Sequence, residues 1–191
     1  MKRLIVAAAL AGLTGAAALA QTMGSPERFT AFAVNMGGPG RASSGQVEIV
    51  VDRWSTEAER GKLLGTLLEK GPEKLLDVLQ STHRVGYIRT PNSIGYDLHY
   101  AHKTPLAEGA ERVVIATDRY ISFWEARNQP RSIDYPFTVI EMHINRDGEG
   151  EGKMSIATKI EADKESNSIV LENYSTQPVL LEKVHREEKK K

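Results

Sequence analysis

The sequence predicts a mainly β (α+β) fold: an antiparallel meander of about eight to nine strands closing into a barrel or curved sandwich, with an αα-hairpin inserted after the second strand. Three observations point there. Segments with period-two alternation, separated by turn residues, run from Arg28 almost to the C-terminus. Helical spacing is confined to residues 56–80. Helices therefore do not alternate with strands, which argues against a doubly wound parallel sheet, and a meander that closes on itself removes its exposed edges.

The first strand is "RFTAFAVN", with Phe29, Phe32 and Val34 between short residues. "NMGGPGRASSG" follows as a loop. Its glycines invite a phosphate-loop reading, but no Lys-Ser/Thr follows them and the next segment is a strand. In that strand, "QVEIVVDRW", Val47, Ile49 and Val51 share one face. Thr56 and Glu59 then have capping-box spacing, Leu63, Leu64, Leu67 and Leu68 form an apolar face, and Gly71 ends the helix. Pro72 opens a second helix, "PEKLLDVLQ", with Leu75, Leu76 and Leu79 on one side. Two such short amphipathic helices need a sheet to lean on.

The chain returns to strands in "HRVGYIRT" and in "SIGYDLHYA", where alternation puts Ile94, Tyr96, Leu98 and Tyr100 inward. "ERVVIATD" precedes a long connection. "FTVIEMHIN" and "GKMSIATKIEAD" flank the turn "RDGEG", so Asp147–Gly150 is expected at a hairpin tip, with Ile140, Met142 and Ile144 facing the same way as Met154, Ile156 and Ile160. "NSIVLENY" and "PVLLEKV" complete the set, giving an inward group that includes Phe32, Tyr96, Tyr100, Met142 and Met154. The expected organisation is a signal peptide over 1–20, a flexible stretch 21–27, one β-rich domain over 28–186 and a charged tail, 187–191.

The leader reads "MKRLIVAAALAGLTGAAALAQ": Lys2 and Arg3, an apolar run from Leu4 to Leu13, and the small-x-small site Ala18-Leu19-Ala20. This is the anatomy of a secretory signal peptide, and it predicts a periplasmic or secreted protein. No second run approaches the ~20 apolar residues of a spanning helix. The chain has no cysteine, which excludes a lipobox, a thiol nucleophile, a disulfide framework and a thiolate metal site. An exported domain of roughly 170 residues must then hold together by its core. Lys2 and Arg3 account for two of 25 basic residues, so the mature chain carries 23 against 25 acidic ones. That balance does not suggest nucleic acid as a partner.

Motifs that carry chemistry are sparse. The five histidines lack the i, i+4 spacing of a helical zinc motif, and alternation puts His99 and His102 on opposite faces. Glu141 and His143 share a strand face opposite Ile140, Met142 and Ile144, which reads as a solvated face rather than a metal site. His143 could serve as a base if a neighbouring strand supplied a partner. There is no G-x-S-x-G and no S-x-x-K. The sequence implies no cofactor and no metal.

The densest stretch is "ISFWEARNQPRSIDYPF", Ile121–Phe137, a connection far longer than the usual ~4–6 residues. Trp124 with Arg127 or Arg131 could form an amphipathic platform, and Glu125 or Asp134 could polarise a bound group. Alternatively Trp124 packs under the loop while the arginines pair with Glu125 and Asp134. Structural closure is the first reading, a binding site the second and catalysis the third. The candidate ligand-binding residues are Trp124, Glu125, Arg127, Arg131, Asp134, Tyr135 and His143.

Together with "VGYIRTPNSIGYDLHYA" and the hairpin after it, this stretch resembles a family of small secreted bacterial proteins with a signal peptide and no assigned activity. The resemblance implies export and a single β-rich domain, and it brings no catalytic residues. Three functional readings follow: a non-enzymatic module binding a small amphipathic molecule or a protein partner; a hydrolase acting on envelope or extracellular polymers through carboxylates near Trp124; and a structural or adhesive module offering a strand edge. Mass spectrometry of the exported protein is expected to find Gln21, or a residue next to it, as the N-terminus. Retention of Met1 would refute the export reading.

Overall fold

Each barrel strand pairs antiparallel with both of its neighbours, and the wall closes without a free edge. The computed structural model describes residues 26–35, 43–91, 93–119, 137–156, 159–163, 168–172 and 179–187. The barrel strands are β1 (Glu27–Asn35), β2 (Ser43–Val51), β3 (Gly86–Arg89), β4 (Tyr96–Pro105), β5 (Glu111–Thr117), β6 (Thr138–Ile144), β7 (Glu149–Ile156) and β10 (Val179–Arg186). Their order around the wall is β1-β10-β7-β6-β5-β4-β3-β2, a meander closed by pairing its first and last strands. Following paired residues from Glu27 through Val51, Gly86 and Leu98 to Thr117 leads from one rim to the other. Closure of a barrel demands this stagger.

The alternation read in the sequence becomes an inside and an outside. Val47, Ile49 and Val51, Val113 and Ile115, and Ile140, Met142 and Ile144 belong to one continuous interior cluster with Phe29, Leu98, Met154 and Leu181. The expected helical pair follows β2: α1 (Glu57–Lys70), a 3-10 turn at Pro72–Lys74, and α2 (Leu75–Ser81). Thr56 and Glu59 form the capping box, and Gly71 ends α1 at a φ of 83°. Leu63, Leu64 and Leu67 of α1 pack with Leu75, Val78 and Leu79 of α2 against Tyr100, Val114, Ala116, Phe137 and Val139 on the outside of β4–β6. That part of the wall is buried on both faces, so all five residues from Val113 to Thr117 are buried in sequence.

Several expected orientations are corrected. An extra residue in β4 shifts its register against β5 between Leu98 and Tyr100. Leu98 and Ala101 both face inward as a result, and Tyr100 packs outside, beneath the helices. The bulge also turns His99 to the outer side, where Nδ1 lies 2.8 Å from the Thr82 carbonyl. His99 and His102 are therefore not on opposite faces. Phe32 is exposed because Phe29, Ala31 and Ala33 occupy the inward positions of β1, whose pairing with β2 is unbroken. Ile94 lies in the turn before β4, fully exposed, and Leu68 is exposed on α1.

The β6–β7 tip is also displaced, to Asn145–Gly148, because Ile144 pairs with Gly150. Asn145 Oδ1 accepts the backbone N–H groups of Asp147 and Glu149, each at 2.9 Å. Its side chain starts the turn two residues earlier than expected. Finally, "GKMSIATKIEAD" is two strands. After β7 the chain leaves the barrel into β8 (Lys159–Asp163), which pairs with β9 (Ser168–Glu172) in a separate two-stranded sheet. Ile160 thus does not share a sheet with Ile140.

Met142→Asp is expected to destabilise the domain by more than about 4 kcal/mol, through a buried unpaired charge. Phe32→Ser, on an exposed outward position, should stay within about 0.5 kcal/mol of the parent in urea unfolding. Equal effects would mean that the interior is assigned to the wrong face.

Candidate functional site

In a meander all odd connections lie at one rim and all even ones at the other. The rim where β1 begins and β10 ends is closed by a ring of charges. On four strands, the residue two places beyond the last inward apolar one is charged: Glu27 beyond Phe29, Lys103 beyond Ala101, Glu111 beyond Val113, and Arg186 beyond Val184. Alternation points all four inward at the mouth. Lys103 Nζ lies 2.7 Å from Glu27 Oε1 and 3.7 Å from Glu111 Oε1. Arg186 Nε lies 3.3 Å from Glu27 Oε2, and its Nη2 contacts Glu111 Oε2. Each acid thus touches both bases. The Lys103–Glu27 and Arg186–Glu111 contacts run between strands three apart in the wall, so they stitch across the opening.

Two aromatic rings floor this mouth. Lys103 Nζ sits 4.9 Å from the centre of the Trp54 ring, and the Arg186 guanidinium 5.5 Å from that of Phe29. Both are cation–π arrangements, favourable because a ring face is electron-rich. Trp54, 7% exposed, is part of the interior cluster. Its position follows from the short β3: residues 52–55 cross the gap between β2 and β4. Ser55 N–H donates to the Ala101 carbonyl (2.8 Å), and Ala101 N–H to Ser55 Oγ (3.0 Å).

A second polar group lies on the outer wall near the start of α1. Arg112 Nε is 2.7 Å from Glu141 Oε1, and His143 Nε2 is 3.0 Å from the same oxygen. These two hydrogen bonds hold the Glu141 carboxyl below the usual carboxylate range against the opposing effect of burial, which is the largest single influence. Beside it, burial pushes the Tyr100 phenol up to about 12. His102, whose ring centre is 6.5 Å from that of Tyr100, has its pKa lowered by burial first and by the charges of Arg60 and Arg112 next, with Glu57 opposing. At neutral pH His102 is therefore an uncharged ring among guanidinium groups.

Of the residues singled out in the sequence, His143 falls in this group: it is exposed and bound to Glu141, on the face expected. Trp124, Glu125, Arg127, Arg131, Asp134 and Tyr135 lie outside the described residues, as do the burial and ion pairing expected of them. The strands that flank this connection are tied together, since Thr138 N–H donates to the Thr117 hydroxyl at 3.0 Å. Among the described residues no group of three or more His, Asp or Glu side chains could hold a metal ion, and no helix is long and apolar enough to cross a membrane. The charged ring escaped sequence reading because its members are scattered over 160 residues. Strand parity could have set Glu27 and Glu111 with the inward residues of their strands, but the bulges in β4 and β10 reverse it before Lys103 and Arg186 are reached.

Fold and site together define a closed eight-stranded meander barrel, its lumen packed with its own side chains and one mouth sealed by paired charges. No protein-family model, curated protein or solved structure matches the chain.

His102 supplies a pH test. Its folded-state pKa lies below the ordinary 6.5, so the unfolded chain binds the proton more readily. The stability that follows is fully present above that value and is lost as pH falls through the folded one. Urea melts of His102→Gln should show a smaller loss of stability than the parent between pH 6.5 and the acid limb where Glu141 titrates. Parallel profiles would refute the linkage.

Proposed function

We propose that this protein is an exported, non-enzymatic binding module, in which the barrel is a rigid support and the rim opposite the charged mouth is the working end. The observation that carries the reading is the packed interior: nineteen buried apolar residues of one cluster fill the described barrel. A guest would then bind at a rim or on the wall rather than in the lumen. The mouth is stitched by its own ion pairs, so the opposite rim is favoured. There the strand ends flanking 36–42, 90–95, 118–137 and 157–178 come together.

The connection between β5 and β6 carries Trp124, Arg127, Arg131 and Tyr135, a composition suited to a small amphipathic molecule or a protein surface. The acids described on the outer wall support binding over hydrolysis. Glu48 is paired with Arg28 and Arg89, Glu59 with Arg53, and Glu141 with Arg112. The pairing holds the Glu59 and Glu141 carboxyls below the usual carboxylate range, against the opposing effect of burial, and a carboxyl so held is a poor general acid. The adhesive reading loses its simplest support in a closed wall and would fall to the β8–β9 sheet. Export rests on the leader alone.

The chain has two tryptophans, Trp54 at the mouth and Trp124 in the β5–β6 connection, which makes fluorescence selective. Titration with lipid vesicles, a short-chain detergent and soluble oligosaccharides is expected to change the emission of the parent and of Trp54→Phe, but not of Trp124→Phe. A response that follows Trp54, or cleavage of the oligosaccharides, would overturn the proposal.

A further inference from the structure

Every barrel strand has two neighbours, but β2 outruns β3 at the rim opposite the charged mouth. β2 pairs with β1 along its whole length, from Ser43 to Val51. On its other side the ladder with β3 covers only Glu48–Val51. Ser43–Val47 therefore overhang, and no described residue pairs with them on that side. The cause is local sequence. Continued register would set Thr90 opposite Val47 and Pro91 opposite Gln46. Thr90 N–H instead donates to Ser93 Oγ at 3.0 Å, and a proline has no N–H to offer. The chain leaves the wall in a turn, closed by Ser93 N–H on the Thr90 carbonyl at 3.1 Å.

Strand parity identifies the open groups. The Val50 carbonyl faces β3, since a β-carbon on Gly86 would fall 2.0 Å from its oxygen. Asp52 N–H donates on the same side, to the Val85 carbonyl at 2.8 Å. Alternate residues of a strand point their amide groups alike, and the β1–β2 register has no bulge. Glu48, Gln46 and Ser44 therefore face that way too. Glu48 is answered by Arg89, whereas the N–H and C=O groups of Gln46 and Ser44 stay open on exposed residues. Donors and acceptors at this two-residue spacing are matched in full by another extended backbone. We propose that the β2 overhang takes up an extended peptide segment of a partner protein as an added strand, in line with β3. The proposal rests on this rim being the working end, and it names the class of partner. Five residues of edge, Ser43–Val47, fall well short of the ~800 Å² per partner that joins two barrels stably, but they suit one short strand. Alternation sets the preference: apolar side chains beside buried Val47 and half-buried Gly45, polar ones beside Gln46 and Ser44.

The test is amide hydrogen exchange on the ¹⁵N-labelled full chain, probed with a short peptide of alternating valine and threonine capped by lysines. The peptide is expected to slow exchange saturably at Ser44 and Gln46, and to leave Gly45 and Val47, already bonded to β1, unchanged. Two further peptides carry backbone N-methyl groups on alternate residues. One is expected to lose the effect and the other to keep it, because only every second amide faces β2. Gln46→Pro removes one open donor without touching the β1 ladder and should weaken uptake; should it not fold, the N-methylated pair decides alone. Equal loss or equal retention in that pair, or no slowing at Ser44 and Gln46, would overturn the proposal. So would slow exchange there before peptide is added, whether a second copy or the chain's own connections cause it. A peptide that changes Trp124 emission yet leaves both amides unaltered overturns the strand site alone and leaves the rim as the working end.

Discussion

The structure depends on how the wall is closed where its third strand is too short. β3 has four residues between partners of nine and ten, so the edge of β4 beyond Leu98 lacks a neighbouring strand. Unpaired backbone groups inside a fold are costly. The segment that leaves β2 supplies the missing partners: Ser55 pairs with Ala101, and Val85, on the return from the helices, donates to the Leu98 carbonyl at 2.7 Å. That crossing also drops Trp54 into the interior and makes Thr56 the cap of α1. It brings Arg53 onto Glu59 at 2.8 and 2.9 Å and onto the His83 carbonyl at 3.0 Å. One local repair thus sets the plug of the mouth, the start of the helical layer and its exit.

The helical layer in turn explains the wall beneath it. α1 and α2 are too short to persist alone, and each offers a single apolar stripe. They bury it on the outside of β4–β6, where Tyr100, Val114, Ala116 and Val139 provide a second apolar face. The β4 bulge makes this possible by moving Tyr100 to that side and Ala101 into the lumen. A second bulge, in β10, lets Leu181 and Val184, three apart, both point inward. Lys183 takes a φ of 51° there, a conformation that costs an ordinary residue energy and that the flanking ladders impose. Bulges that raise local twist are a common means of closing a barrel.

Charge is used as a closing device rather than spread evenly. The mouth ring joins β1, β4, β5 and β10, so its contacts oppose separation of strands that are not neighbours. Its members are partly exposed, and each pair alone contributes little in water. Their arrangement over Trp54 and Phe29 adds to this, because the Lys103 ammonium and the Arg186 guanidinium each sit over a ring face while meeting the acids. The outer group around Glu141 works locally, fixing β5 to β6 through Arg112.

The fold class was legible in the sequence for a simple reason. Period-two alternation, turn residues and one capped helical stretch are local signals, and they led to the meander, the helical pair after the second strand and the faces of β2 and β6. Parity within a strand failed wherever a bulge added a residue, as at His99, since one extra position reverses every later side chain and nothing in "YDLHYA" marks it. The Asn145 turn and the departure of β8 from the barrel were likewise missed, being settled by side-chain hydrogen bonding and by a change of partner strand. The site divides the same way. Glu141 and His143 could be paired on one face from their spacing. The ring of Glu27, Lys103, Glu111 and Arg186 could not, because its members meet only when first and last strands pair. The sequence by itself determined which residues seek burial and with what period; tertiary closure alone decided which charges stand opposite one another, because those contacts exist only across the lumen.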